Sequence, residues 1–153
     1  MLVVAAVIER PDRRILIGQR RKTDTSPLKW EFPGGKVRDR EAPDAALARE
    51  LREELGATLR RSVEIARVMH RYAETLTPLE IRFFAAEIDV TEIVPTVFEQ
   101  VAWVLPRELS GYDFLAANGR IVADLATGRI KPTEILQMKP AVRVNKTNGK
   151  SQI

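Results

Sequence analysis

Four glutamates crowd into a short segment that follows a glycine pair. The segment reads GGKVRDREAPDAALARELREELGA, residues 34–57, and its glutamates are Glu41, Glu50, Glu53 and Glu54. Carboxylate oxygens are preferred ligands of Mg²⁺ and Mn²⁺, so such a set can hold a divalent cation against phosphate oxygens. The alternative is a solvated helix in which acids and arginines form surface salt bridges.

The spacing of the last three glutamates bears on this choice. At about 100° of rotation per helical residue, Glu50, Glu53 and Glu54 share one stripe. Leu51 and Leu55 lie on the adjoining apolar stripe. The carboxylates therefore lie at the margin of the buried face, and Glu50 faces Glu54 at i,i+4. Like charges so placed are destabilising unless a cation neutralises them, which favours the metal site.

The sequence predicts a helix for this segment and strands around it. Pro43 suits the first turn, Ala45–Leu55 is rich in strong helix formers, and Gly56 is a typical stop. The remaining predicted elements are strands Leu2–Glu9, Arg14–Arg20, Val63–Arg71, Glu80–Ile88 and Val101–Leu105 and a last helix at Ala116–Ala126. The first two strands flank a turn and are expected to form a hairpin. This order predicts an α+β fold, an α/β/α sandwich with a mixed β-sheet.

Composition limits the possible functions. The chain has 153 residues, 44% hydrophobic and 30% charged, which suits one soluble domain. It contains no cysteine, which excludes disulfides, thiolate nucleophiles and zinc–thiolate sites. The apolar N-terminal run is too short for a membrane span and lacks the basic start of a signal peptide. We therefore expect a cytoplasmic protein without membrane association.

The positive charge is concentrated at the C-terminus. Residues 129–153 carry six basic side chains and one acidic one, while the whole chain has a net charge of only +4. We predict a domain over residues 1–128 and a basic C-terminal extension over residues 129–153, whose last ten residues are mobile. Because the domain itself is not basic, we expect no direct nucleic-acid binding, and either a monomer or a homodimer.

The spacing after the glycine pair resembles the Nudix box, G-x5-E-x7-R-E-U-x-E-E-x-G-U, where U is a bulky aliphatic residue. The matching residues are Gly35, Glu41, Arg49, Glu50, Glu53, Glu54 and Gly56. The one departure is Ala57 at the last U, a packing position. The resemblance implies a Nudix hydrolase, an α/β/α sandwich whose catalytic loop-helix-loop binds Mg²⁺, or Mn²⁺, and cleaves a nucleoside diphosphate linked to another group.

The resemblance also implies roles by position. The implied metal ligands are the Gly34 carbonyl and the carboxylates of Glu50, Glu53 and Glu54. Glu53, or a neighbouring glutamate, would orient or deprotonate the attacking water. Arg49 would hold the catalytic glutamates through charge-assisted hydrogen bonds, and Glu41 would connect the loop to the helix.

Relatives often supply one more metal-binding or basic acid from a loop before a later strand. Glu99, in FEQVAW, is our candidate for this catalytic and metal-binding acid. In many relatives the acid lies six residues before the tryptophan, a place taken here by Val97. Glu99 lies four residues before Trp103, and Glu92 is the alternative.

The resemblance extends to the MutT branch, which removes oxidised nucleoside triphosphates from the nucleotide pool. The stretches that carry it are VIERPDRRILIGQRR, LKWEFPGGKV and YDFLAANGRIVADL. Asn118 takes the place of the asparagine that binds oxidised guanine in MutT. Its amide NH₂ can donate to O6, and its carbonyl can accept from an N7–H that exists only in the 8-oxo base. The alternative role of Asn118 is to cap the last helix.

Four further residues are candidates for nucleotide binding. They are Arg20, Phe32, Gly35 and Lys36. Phe32 would line a base pocket or belong to the core, and Arg20 would contact phosphate or sugar. Lys36 would reach phosphate, and the alternative for both cations is simple exposure to solvent.

The resemblance therefore implies a Mg²⁺-dependent nucleoside triphosphate pyrophosphohydrolase that converts 8-oxo-dGTP to the monophosphate and pyrophosphate, in the cytoplasm, in the service of DNA repair. One alternative is hydrolysis of a modified dCTP, of CTP or of another nucleoside diphosphate derivative. A further alternative is a non-catalytic Nudix domain that binds a nucleotide, which the complete glutamate set argues against.

Overall fold

The computed structural model describes residues 1–71, 77–89, 92–138 and 142–143 and forms two β-sheets flanked by helices. The strands are β1 Leu2–Ile8, β2 Ile15–Gln19, β3 Trp30–Glu31, β4 Gly34–Lys36, β5 Leu59–His70, β6 Leu79–Ile88, β7 Gln100–Val104 and β8 Val142–Arg143. The larger sheet has the order β4-β1-β6-β5-β8, and the smaller has the order β3-β2-β7. Since β1 and β6 are parallel and the other pairs antiparallel, the predicted mixed sheet is confirmed.

The predicted hairpin between the first two strands is wrong. Strand β1 pairs with β4 on one edge and β6 on the other, while β2 pairs with β3 and β7. A strand has only two edges for backbone hydrogen bonds, so β1 has none left for β2. The two strands meet at a single bridge between Glu9 and Ile15 beside the predicted turn.

Helices cover both faces of the larger sheet. Side chains alternate along β1, so that Val4 faces one hydrophobic cluster and Ala5 faces the other. Helix α1, Pro43–Leu55, packs on the Val4 face, and helix α2, Gly119–Ala126, packs on the Ala5 face. This arrangement is the predicted α/β/α sandwich.

The boundaries of α1 follow from local sequence. Pro43 occupies the first turn, and Gly56 ends the helix in the left-handed conformation, with φ of 65°. The predicted last helix is divided, because Ala116–Asn118 forms a 3₁₀ helix and the α-helix begins at Gly119.

The chain continues with regular structure beyond α2, where no helix was predicted. Helix α3, Pro132–Met138, buries Leu136, and β8 pairs with Arg61 and Ser62 of β5. The last ten residues, predicted to be mobile, lie outside the described residues. Within the described ranges, no helix is both long enough and apolar enough to cross a membrane.

Candidate active site

The glycine pair brings the sheet edge against the C-terminal half of α1. Gly34 and Gly35 belong to β4, which runs along β1. A Cβ on Gly34 would overlap the carbonyl oxygen of Val4, and a Cβ on Gly35 would lie 2.5 Å from the Glu50 carboxyl carbon. Glycine at position 34 therefore permits the close approach of β4 to β1, and glycine at position 35 leaves the space that the Glu50 carboxylate occupies.

Arg49 is the centre of an ion-pair network at this junction. Its Nε and Nη2 donate to Glu41 at 2.8 and 2.9 Å, and its Nη1 donates to Glu50 at 2.9 Å and Glu53 at 3.4 Å. Its Nη2 also donates to the Lys36 carbonyl at 3.0 Å. Arg49 therefore links the loop before α1, strand β4 and two of the predicted metal ligands.

The three glutamates of the predicted metal set have different environments. Glu53 is half-exposed, whereas Glu50 is largely buried against Gly35 and Arg49. Glu54 accepts a hydrogen bond from the Gly34 N–H at 3.1 Å. Burial raises the pKa of Glu54 to about 8, and the nearby Glu50 carboxylate adds to the rise.

The donor chemistry of this region fits a hard divalent cation. The raised pKa of Glu54 means that its ionised form is disfavoured in the absence of a cation. A bound cation would stabilise this ionised form, and carboxylate oxygens are suitable ligands for Mg²⁺ and Mn²⁺. In the described part of the chain, no three acidic or histidine side chains are already gathered around one point as a metal site. Glu50 and Glu54 instead contact Arg49 and the Gly34 amide.

A cavity of about 610 Å³ extends from Glu54 to the α2 side of the sheet. Its charged lining residues are Glu54, Glu31, Arg20 and Lys36, beside the glycine pair. Its apolar lining residues include Val3, Ala5, Phe32, Leu79, Ile81, Leu115 and Ala117. Phe32 is buried and stacks on Phe114, with ring centroids 5.4 Å apart. The volume and the mixed charged and apolar lining suit a nucleotide.

Asn118 lines this cavity together with the apolar residues Leu115 and Ala117. It is only 5% exposed, lines the cavity, and makes no side-chain capping hydrogen bond with α2. The capping alternative is therefore wrong. The reason is that Asn118 continues the 3₁₀ helix with φ of −93° and ψ of −3°, instead of the extended conformation typical of an N-cap.

Arg20 also lines the cavity, but each of its three nitrogens already donates a hydrogen bond. Nε and Nη2 bind the carbonyl and hydroxyl of Thr25 at 2.7 and 3.0 Å. Nη1 binds Glu31 at 3.2 Å. Arg20 thus supports the loop that borders the cavity.

Glu31 is the cavity acid that sequence reasoning missed. It lines the cavity beside Glu54, and burial raises the pKa of Glu31 despite the opposing charge of Arg20. The sequence feature that could have identified Glu31 is its position between two aromatic residues, Trp30 and Phe32, both of which are buried.

Glu99 and Glu92 are both exposed. Glu99 immediately precedes β7, and its N–H donates to the Gln19 carbonyl at 2.9 Å. Neither residue lines the cavity. The choice between them stays open.

Comparisons with known proteins agree with this geometry. The NUDIX domain model matches residues 1–125. The CTP pyrophosphohydrolase of Escherichia coli K12 is 56% identical over 54 residues, which are 35% of this chain and 39% of that protein. The chain thus covers well under two thirds of that relative.

Two other comparisons extend over most of the chain. A putative 8-oxo-dGTP diphosphatase 2 of Mycobacterium tuberculosis H37Rv is 33% identical, covering 82% of this chain and 87% of the relative. A structure from work on MutT of Aliivibrio salmonicida and Vibrio cholerae has a TM-score of 0.70 and 28% identity, covering 82% of this chain and 96% of its own. The chain therefore belongs to the Nudix hydrolase family, in its MutT-like branch.

Proposed function

We propose that the protein is a Mg²⁺-dependent nucleoside triphosphate pyrophosphohydrolase that acts on oxidised guanine nucleotides. One water is added across the bond between the α- and β-phosphates of 8-oxo-dGTP, giving 8-oxo-dGMP and pyrophosphate. This reaction removes an oxidised precursor before it enters DNA.

The observation that carries the substrate proposal is the position of Asn118. Asn118 is buried, lines the cavity, and makes no side-chain hydrogen bond that caps the helix it precedes. An 8-oxopurine offers O6 as acceptor and N7–H as donor to such an amide. Ordinary guanine has no N7–H, so the amide carbonyl would remain unpaired, and unpaired buried polar groups give strong discrimination.

The phosphates would lie in the cavity beside Glu54 and the glycine pair. Mg²⁺ there would be held by the Gly34 carbonyl, Glu50, Glu53 and Glu54, with Glu99 or Glu92 as a further ligand. When bound, the ion supplies phosphate neutralisation and a lower pKa for its water. Lys36 at the rim adds a positive charge for phosphate oxygens, while Arg49 orients Glu50 and Glu53.

Hydrolysis of CTP or a modified dCTP is the second candidate. It is favoured by the 56% identity to the E. coli CTP pyrophosphohydrolase, which extends over only 54 residues. A catalytically silent nucleotide-binding domain is disfavoured, because all the acidic positions of the Nudix box are present.

A substrate panel tests the proposal. Initial rates are measured with 8-oxo-dGTP, dGTP, CTP, 5-substituted dCTP, ADP-ribose and dinucleoside polyphosphates, with Mg²⁺ or with EDTA. The proposal expects the highest kcat/KM for 8-oxo-dGTP, release of pyrophosphate, and no turnover in EDTA. A higher kcat/KM for the cytidine nucleotides would replace the substrate proposal, and activity in EDTA would refute the metal requirement.

A further inference from the structure

The C-terminal end of α1 is held by a segment outside the Nudix box. Residues 92–99 lead into β7 and pass the last helical turn, which carries Glu53 and Glu54. The last four carbonyl groups of any α-helix lack partners within the helix and must bind something else. The hydrogen-bond donors that bind these four carbonyl groups of α1 therefore determine how firmly its last turn is fixed.

Two of these carbonyls bind the main-chain amides of Gly56 and Val94. The Arg52 carbonyl accepts from the Gly56 N–H at 3.0 Å, as expected for a glycine that ends a helix. The Leu55 carbonyl accepts from the Val94 N–H at 2.9 Å. The second bond already crosses to the 92–99 segment.

The other two carbonyls belong to the predicted metal ligands, and both bind Thr96. The Thr96 N–H donates to the Glu54 carbonyl at 3.1 Å, and the Thr96 hydroxyl donates to the Glu53 carbonyl at 3.0 Å. One residue therefore holds the main chain of both glutamates.

The same segment is anchored on its other side to β2. Arg21, just after β2, donates from Nη2 to the Thr96 carbonyl at 2.7 Å. The Glu99 N–H donates to the Gln19 carbonyl at 2.9 Å. Phe98, which lies between Thr96 and Glu99 in the chain, is buried. Residues 92–99 thus connect the C-terminal end of α1 to β2.

We propose that Thr96 is a positioning residue, whose hydroxyl fixes the last turn of α1 and so sets Glu53 and Glu54 relative to the Glu99 segment. This inference rests on the proposed function of the glutamates. Helix ends fray when their carbonyls lack fixed partners. Displacements of about 0.5 Å are enough to impair a metal-dependent site, so one hydroxyl at this turn has a large effect.

The test compares Thr96→Val, which removes only the hydroxyl, with Thr96→Ser, which keeps it. Thr127→Val is the matched control, because the Thr127 hydroxyl donates in the same way to Ala123 and Asp124 carbonyls at 2.9 and 3.4 Å, at the end of α2. The readouts are kcat and KM for the best substrate, the Kd for Mn²⁺ without nucleotide, and Tm.

Thr96→Val is expected to lower kcat and Mn²⁺ affinity by about tenfold or more, with KM within about twofold. Thr96→Ser is expected to behave as the wild type. Thr127→Val is expected to lower Tm as much as Thr96→Val does, without changing kcat or the Mn²⁺ Kd.

If Thr96→Val matches Thr127→Val in both kcat and Mn²⁺ affinity, the inference is wrong. If the wild type hydrolyses nothing in the panel, the proposed function fails, while the Mn²⁺ titration still tests the inference. If Thr96→Val does not fold, Thr96→Ala replaces it, since it also lacks the hydroxyl and Thr96 is exposed. Unchanged kcat and Mn²⁺ affinity in that variant would also overturn the inference.

Discussion

The carboxylate of Glu50 occupies the space that a Cβ on Gly35 would need. A Cβ at position 35 would come within 2.5 Å of the Glu50 carboxyl carbon and 2.6 Å of Oε1. Glu50 is held there by Arg49 at 2.9 Å. Any side chain at position 35 therefore competes with Glu50 for the same space.

Gly35→Ala should abolish most of the activity because it displaces Glu50. We expect kcat/KM to fall by about 10²-fold or more, since misplacement by about 1 Å has that effect. Because the displaced atoms are the end of a flexible side chain, the loss of stability should be small compared with the loss of activity. Gly119→Ala is the matched control, because Gly119 is helical, with φ of −56°, and a Cβ there meets nothing within 4 Å. Wild-type kcat/KM in Gly35→Ala would show that the position of Glu50 is unimportant.

Glu53→Gln should lower kcat by about 10²–10⁴-fold, as expected when a general base or metal ligand loses its charge. The substitution keeps size and polarity, and Glu53 is half-exposed, so Tm should change little. Glu134→Gln is the control, since Glu134 is an exposed glutamate on α3. Near-wild-type turnover in Glu53→Gln would reject the assignment of this residue.

Glu41→Gln should change the acid stability of the protein. The Arg49 hydrogen bonds lower the pKa of Glu41 to about 2, below its ordinary value of 4.5. The ionised carboxylate therefore stabilises the fold above pH 4.5, and this contribution is lost as the pH falls towards 2. The Tm difference between wild type and Glu41→Gln should be largest above pH 5 and shrink at lower pH.

Asp12→Asn is the control for that experiment. Hydrogen bonds from Arg10 lower the pKa of Asp12 to about 2, so its Tm profile should show the same pH dependence. Because Asp12 lies in the turn after β1, away from the cavity, activity should be unchanged. A pH-independent Tm difference for Glu41→Gln would contradict the role of its ion pair with Arg49.

Asn118→Ala should reduce selectivity more than stability. We expect the ratio of kcat/KM for 8-oxo-dGTP over dGTP to fall by about 10-fold to 100-fold, corresponding to the loss of one or two hydrogen bonds. Asn118→Asp, which lacks the NH₂ donor to O6, should show the same loss. If both variants keep the wild-type ratio, base recognition lies elsewhere in the cavity.

Glu99→Gln and Glu92→Gln form a pair that decides which loop acid takes part in hydrolysis. Both glutamates are exposed, so neither change should alter Tm. We expect kcat to fall in Glu99→Gln and to remain unchanged in Glu92→Gln. The reverse result would transfer the role to Glu92, and two unchanged variants would exclude both.

The sequence predicted the parts of the molecule that depend on local signals. Pro43 and Gly56 mark α1 because a proline suits a first turn and a glycine suits a left-handed end. The proposed hairpin failed because strand partners depend on the competition of distant segments for two edges. Both edges of β1 are paired, one with β4 and the other with β6. No residue in the predicted hairpin indicates this pairing.

The placement of the glutamates on one helix was predictable, but the cavity was not. The spacing of the glutamates requires only one helix. The cavity combines Val3–Ala5, Glu54, Ile81 and Asn118, which are separated along the chain and meet only in the folded sheet. Glu31 was missed because its position in the cavity depends on the fold and not on a sequence motif.

Residue alternation along β1 has an evolutionary consequence. The Val4 face supports the hydrolytic helix, and the Ala5 face supports the apolar wall that ends at Asn118. If the proposed function is right, substitutions on the second face alter which base is accepted without repacking the first. Such a modular arrangement lets new substrate preferences diverge, or be engineered, on an unchanged hydrolytic scaffold.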